Sequence, residues 1–200
     1  PYAISGFIWG GVLRTVAVHH GTFCVNSIAH IFGTQPYDDT NTSRDSWWVA
    51  FITFGEGYHN FHHIFQADYR NGIKWYQFDP TKWLIKMFSL VGLATKLKKT
   101  PQHSIDIAIL DMKIIKNTRK LDELSIDSAP YVERMKTTRD NLRSAMYNLH
   151  KVTNEKKEGS KSNTEEISAK IIQLKKNIAA GQEEISTIFK DISNAKPNSA

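Results

Sequence analysis

Two hundred residues, 40% hydrophobic and 23% charged, suit one or two ordinary globular units, and a net charge of +6 raises the question of nucleic acid. Lys and Arg are interleaved with acids and do not gather with aromatics, which argues against a nucleic-acid groove and for a basic protein at an anionic membrane face. A single cysteine, Cys24, excludes an internal disulfide, and a start at Pro1 without a secretory signal reads as the continuation of a longer polypeptide.

Tyr2 to Phe32 is mostly apolar, broken by Arg14, His19, His20, Asn26 and His30. As a helix it would be roughly 45 Å long, enough to cross a hydrocarbon core of about 30 Å, so a transmembrane helix is predicted. Ionisable groups inside such a segment are costly, which makes Asn26 and His30 site candidates, while His19 and His20 read as packing or polar-seam residues. Gly33 to Ser46 has turn chemistry and ends the helix; Asn41-Thr42-Ser43 matches a glycosylation sequon, which the expected cytosolic side rules out. Trp47 to Phe65 is predicted as a second helix, and Asp68 to Pro80 as a polar and aromatic loop. The amphipathic run from Trp83 to Leu93 is short for a span and, with Trp and Lys beside it, reads as a helix lying in the membrane interface.

Residues 101–130 read as a connecting segment and 131–200 as an amphipathic helical extension. Val132, Met135, Leu142, Met146 and Leu149 share one face; Ile167, Ile171, Leu174, Ile178, Ile185, Ile188 and Ile192 share another. Between them Thr153 to Asn163 reads as a charged linker, with Ser162 and Glu165 as a capping box, so a helical hairpin or short coiled-coil element is predicted. His103 and His150 read as isolated solvated or packing residues. The fold class is all-α, with the chemistry confined to residues 1–100.

His59, His62 and His63 form an H-x-x-H-H pattern, and positions i, i+3 and i+4 of a helix share a face, so three imidazoles can converge on a metal. Imidazole suits Fe, Zn, Cu or Ni and does not choose among them. Asn26 and His30 are four apart on the first helix: His30 can ligate directly, and Asn26 can hold a metal-bound water by hydrogen bond. Glu56 reads as a structural hydrogen-bonding group.

The string Val25-Asn26-Ser27-Ile28-Ala29-His30, then Gly33 and Pro36-Tyr37-Asp38, then Gly55-Glu56-Gly57-Tyr58-His59-Asn60-Phe61-His62-His63 and Asp68-Tyr69-Arg70 together resemble the stearoyl-CoA (acyl-CoA Δ9) desaturase family of membrane-bound fatty acid desaturases. Phe78-Asp79-Pro80-Thr81-Lys82-Trp83 looks like its bacterial members. The resemblance covers about Ser5 to Lys99. It implies a transmembrane helical di-iron enzyme with a cytosolic cap, multi-pass in the full protein, its metal site on the cytosolic side. It further implies a fatty acyl-CoA substrate, O₂ as co-substrate, and electrons from a ferredoxin, rubredoxin or cytochrome b5 type donor. Carried over by position, His30, His59, His62 and His63 would be iron ligands, Asn26 would hold an iron through water, and Phe23 would line the substrate tunnel.

Two earlier histidine boxes of the family are missing from this stretch, so it reads as the C-terminal half of the desaturase domain and as inactive by itself. A related acyl-lipid desaturase or hydroxylase is the enzymatic alternative. A membrane-anchored helical adaptor without catalysis is the alternative of another class.

Overall fold

The apolar start of the chain winds into helix in three pieces: α1 Tyr2–Phe7, a π-helical stretch Ile8–Leu13 and α2 Arg14–Ile31 in the computed structural model, which describes residues 2–157 and 164–195. The π stretch contains Gly10 and Gly11, where the missing side chains ease the widened turn. Among the described residues no helix is long and apolar enough to cross a membrane. That corrects the expected span over Tyr2–Phe32: one cation, three histidines and an asparagine fall within α2 and dilute its hydropathy. The apolar side chains of α1 and the π stretch nevertheless face outward, with Tyr2 91% and Trp9 69% exposed.

The single helix expected over Trp47–Phe65 is two short ones, α3 Trp47–Ile52 and α4 His59–Ile64. Backbone conformation explains the break. Phe54 and Gly55 between them take φ of 55° and 109°, outside helical space. Gly57 then lies so close to α3 that an added Cβ would come 2.0 Å from Ala50 N.

The loop 33–46 draws the end of α2 to the start of α4. Its residue Asp45 pairs by backbone with Thr34 on one side and Tyr58 on the other. Arg44 N donates to Ala29 O at 2.7 Å and Ser46 N to Gly57 O at 2.8 Å. Gly33 allows the closest approach: φ is 131°, and a Cβ there would stand 2.5 Å from Asp45 O. The fifth helix, α5 Pro80–Leu90, begins with Pro in its first turn after Asp79, whose carboxylate caps it by accepting from Lys82 N at 2.9 Å.

The chain divides into two compact units, Pro1–Thr100 and Pro101–Ala200. The second contains α6 Gln102–Glu123, α7 Ala129–Lys157 and α8 Thr164–Asn194. Its core joins Ile107, Ile114 and Leu121 of α6 to Met135 and Leu142 of α7 and Ile185, Ile188 and Ile192 of α8. The segment read as connecting, 101–130, therefore supplies a full third of a three-helix bundle. The predicted α7–α8 pairing is present, but a core shared by three helices gives the coiled-coil reading no support. Thr153 to Lys157 continue α7 where a linker was expected; Ser162 of the predicted capping box lies outside the described residues. His103 and His150 are not isolated, since their rings stand 4.9 Å apart between α6 and α7.

Candidate metal centre

Three of the sequence-predicted histidines meet. Asp45 stitched between Thr34 and Tyr58 brings His30, near the end of α2, against His59 and His63 of α4. The Nε2 atoms of His30 and His59 are 3.1 Å apart and those of His59 and His63 3.0 Å. Two metal–imidazole bonds of about 2.1 Å at a right angle would hold their nitrogens about 3.0 Å apart, so this spacing fits one ion ligated by all three. The donor set, three imidazoles with no carboxylate in the group, suits a borderline transition metal such as iron.

Electrostatics keep the cluster in its ligating form. Burial, then the neighbouring imidazoles of His63, His30 and His62, pushes His59 down to about 4. Burial and the same neighbourhood lower His63 as well. Neutral imidazoles offer lone pairs, which is what metal binding needs. His30 Nδ1 lies 2.8 Å from Thr42 Oγ1. In the tautomer that donates this proton to Thr42, His30 Nε2 carries the lone pair and points into the cluster. His59 Nδ1 is buried and bonded to nothing among the described residues, a donor or acceptor free for an orienting partner.

The short helix α4 is held in place by polar groups from the loop 33–46. One oxygen of Asp45 accepts from Asn60 N at 2.9 Å and Phe61 N at 3.1 Å, capping the helix from fifteen residues away. Burial raises this carboxyl to about 7, although both backbone N–H groups pull it down. Asn60 is fully buried and ties the loop together: its Oδ1 accepts from Tyr37 N at 3.0 Å, and its Nδ2 donates to Asp38 O at 2.8 Å and Ser43 O at 3.1 Å. Thr42, Asp45 and Asn60 went unnoticed in the sequence. The detectable signal was Asn60, a poor helix former in the middle of the histidine motif.

His62 is not part of the convergent group; its ring lies 6.1 Å from that of His59 and 6.0 Å from that of His63. It lines a cavity of about 830 Å³ between α2 and the α3–α4 turn, and His59 and Asn26 share that wall. Asn26 donates to Thr22 O at 3.2 Å within its own helix. Much of the rest of its wall is apolar, from Ala17, Val18, Val25, Ile52 and Phe54, and the charged Arg14 and Glu56 line it too. Glu56 accepts from Asn71 Nδ2 at 3.0 Å. Phe23 does not line this space: it is 62% exposed, with its ring against His19 and His20. His20, read as a packing or polar-seam residue, lines it.

The fatty acid desaturase family model matches residues 1–90. Acyl-CoA desaturase 1 of Saccharomyces cerevisiae is 53% identical over 117 residues, 58% of this chain and 23% of that protein. A probable acyl-CoA desaturase of Schizosaccharomyces pombe is 52% identical over 109 residues, 54% of this chain and 23% of that protein. The sn-1 stearoyl-lipid 9-desaturase of Synechocystis is 44% identical over 107 residues, 52% of this chain and 34% of that protein. The two fungal proteins are more similar than the cyanobacterial one, so the expected likeness to bacterial members is not supported. The chain spans between about a quarter and a third of the length of these relatives. Its N-terminal ninety residues are thus similar to the fatty acid desaturase family.

Proposed function

We propose that residues 1–100 are part of an acyl-CoA desaturase of the Δ9 type and supply a share of the ligands of a two-iron centre. The observation that carries this reading is the convergence of three Nε2 atoms from His30, His59 and His63, on a segment that matches the family. Higher identity to the two acyl-CoA desaturases than to the stearoyl-lipid enzyme favours the acyl-CoA headgroup. Iron, when bound, supplies the O₂-dependent oxidising power that removes hydrogens from a saturated chain and that no side chain possesses.

The chain's own residues hold and shape. His30, His59 and His63 would grip one iron; His62 and Asn26, facing the adjoining cavity, would serve the other, Asn26 through a water. The apolar cavity wall receives the acyl chain and excludes water from it, selecting the carbon by distance from an anchored headgroup. Remaining ligands, the headgroup contacts and the docking site of an external electron donor belong to the rest of a multi-pass membrane protein, with the metal centre at its cytosolic face.

The test uses the full-length protein made under iron-replete conditions. About two irons per chain are expected, with cis-unsaturated acyl product detected by chromatography. His59→Ala and His62→Ala should each abolish product at equal membrane expression, and each should lose about one iron. A stoichiometric zinc site, or substantial product from either variant, overturns the assignment.

A further inference from the structure

His103 of α6 and His150 of α7 stand where the pattern of the second unit asks for apolar side chains. His103 precedes Ile107 by one turn and His150 follows Met146 by one turn, so both continue the stripes that build the three-helix core. Their ring centroids are 4.9 Å apart with the planes tilted by 48°, neither stacked nor edge-on as packed aromatic rings prefer. Two imidazoles that share one ion at about 2.1 Å, at an angle between a right angle and the tetrahedral one, have centroids about 4.6–5.3 Å apart. His30 and His59 of the first unit, whose Nε2 atoms converge, show the same 4.9 Å. Burial, then the imidazole of His150, lowers the pKa of His103 against a smaller upward pull from Asp106, which keeps the ring neutral and a lone pair available. His150 Nε2 lies 3.1 Å from the side-chain amide of Asn154, one turn on. Turning that amide over lets its oxygen accept the Nε2 proton, and Nδ1 of His150 then carries the lone pair. The carboxylate of Asp106, near enough to His103 to act on it, adds negative charge beside the pair. His150 is exposed and His103 half-buried, so an ion reaches them from water.

From this arrangement we infer that His103 and His150 form a second metal site, a two-imidazole clamp that takes a divalent transition metal of the Zn(II) class and ties α6 to α7. Imidazole selects such borderline ions over Mg(II) and Ca(II), which prefer oxygen, and water completes the shell of an ion that imposes no rigid geometry. The clamp joins the start of one helix to the end of the next, where a bundle otherwise frays first. Two imidazoles hold an ion less tightly than three, so it fills only at metal concentrations above those that saturate His30, His59 and His63. The pair lies beyond residues 1–90, which match the desaturase family, and is independent of the function proposed for them.

Hydrogen exchange of the full chain in detergent, read by mass spectrometry, tests the clamp. Zn(II) at about a hundred times its half-saturating concentration should slow the amides of residues 106–110 and 146–150 by up to about a hundredfold, because an opening that separates the two rings must first release the ion. Amides of residues 180–190 in α8 should change far less, EDTA should reverse the slowing, and Mg(II) should not produce it. His103→Ala and His150→Ala should each abolish the slowing while exchanging like the parent without metal. A second readout needs no variant: Zn(II) should protect both rings from diethyl pyrocarbonate, scored as modified peptides. Three results overturn the proposal: equal slowing in α8, slowing that Mg(II) reproduces or that survives in either variant, or rings that react as fast with Zn(II) as without it. The histidines of the first unit lie in other peptides, so their metal is read separately, and failure of the desaturase reading would leave this result unchanged.

Discussion

Replacing Asp45 with Ala tests whether the histidine-bearing helix α4 is held from outside itself. The change removes the one oxygen that accepts from both Asn60 N and Phe61 N, leaving two donors of a six-residue helix unpaired in a partly buried site. Loss of a helix cap costs about 1 kcal/mol, and a buried donor left without a partner about 1–3 kcal/mol. Together these predict a loss of about 2–4 kcal/mol, or a fall in Tm of roughly 10–30 °C for a unit of this size. The melts belong at pH 4, where the carboxyl, raised by burial to about 7, is protonated in the fold and little ionised in the unfolded chain, so its charge contributes little. Asp45→Asn supplies the complementary case. A carboxyl at about 7 in the fold against about 3.9 in an unfolded chain favours folding when protonated; that stability is full below about pH 4 and is lost as pH rises through 7, by a few kcal/mol on the order of magnitude that the shift allows. Asn keeps an accepting oxygen and removes the charge. It should melt near wild type at pH 4 and above it at pH 8. Circular dichroism melts in detergent, with Co(II) titration as a reporter of the three histidines, read both effects. Asp45→Ala with unchanged Tm and unchanged cobalt affinity would refute the capping argument.

Three further outcomes are expected. Gly57→Ala should cost several kcal/mol and abolish cobalt binding, because its Cβ would meet Ala50 N at 2.0 Å, while Gly10→Ala, with nothing within 4 Å, should leave both intact; equal behaviour of the two in melts would count against the packing. Truncation after residue 130 should give an aggregating protein, since Ile107, Ile114 and Leu121 of α6 lose their partners, whereas truncation after Thr100 should leave the first unit soluble in detergent, a contrast that size-exclusion chromatography reads. In the metal-free protein the His59 ring should titrate near pH 4 by NMR, and, because its folded value is lowered, the stability it contributes is present above about 6.5 and lost as pH falls through 4; titration at 6.5 would show that burial and its imidazole neighbours do not act as described.

The convergence of His59 and His63 is legible in the sequence because its logic is local. His59 and His63 are one turn apart, and the rule that i and i+4 share a face needs no tertiary information. The same rule does not decide which way His62 faces. At about 100° per residue, His62 and His63 point roughly 100° apart, so His63 turns to the cluster and His62 to the cavity wall. The segment 101–130, which reads as a connecting segment, holds α6, a helix of the shared core. The spacing of its apolar residues carried the signal: Ile107, Ile114 and Leu121 recur every seven residues, as do Met135, Leu142 and Leu149 in α7 and Ile178, Ile185 and Ile192 in α8. A repeat of that period in three successive segments describes three helices turning one stripe each to a shared core.

The polar framework around α4 was out of reach for a different reason: its partners are far apart in sequence and chemically ordinary. Thr42 reaches His30 across twelve residues, Asp45 reaches Asn60 across fifteen, and Asn60 reaches Tyr37 across twenty-three. A helix of six residues has no stability of its own in water, where isolated helices below about 12–15 residues are marginal. Its position must therefore come from the loop, and the loop's hold is mostly on backbone groups: Asn60 fixes the chain at residues 37, 38 and 43, and Asp45 fixes the first turn of the helix. The imidazoles inherit that precision. It follows that the side chains on which ligand geometry most depends are not all ligands: Asn60→Ala should disorganise the site as thoroughly as removal of a histidine, but by loosening the loop. The two are distinguished by proteolysis of the loop 33–46, which Asn60→Ala should accelerate and His63→Ala should leave slow. Equal resistance in both variants would mean that the histidine motif positions itself, and that the framework described here is a bystander.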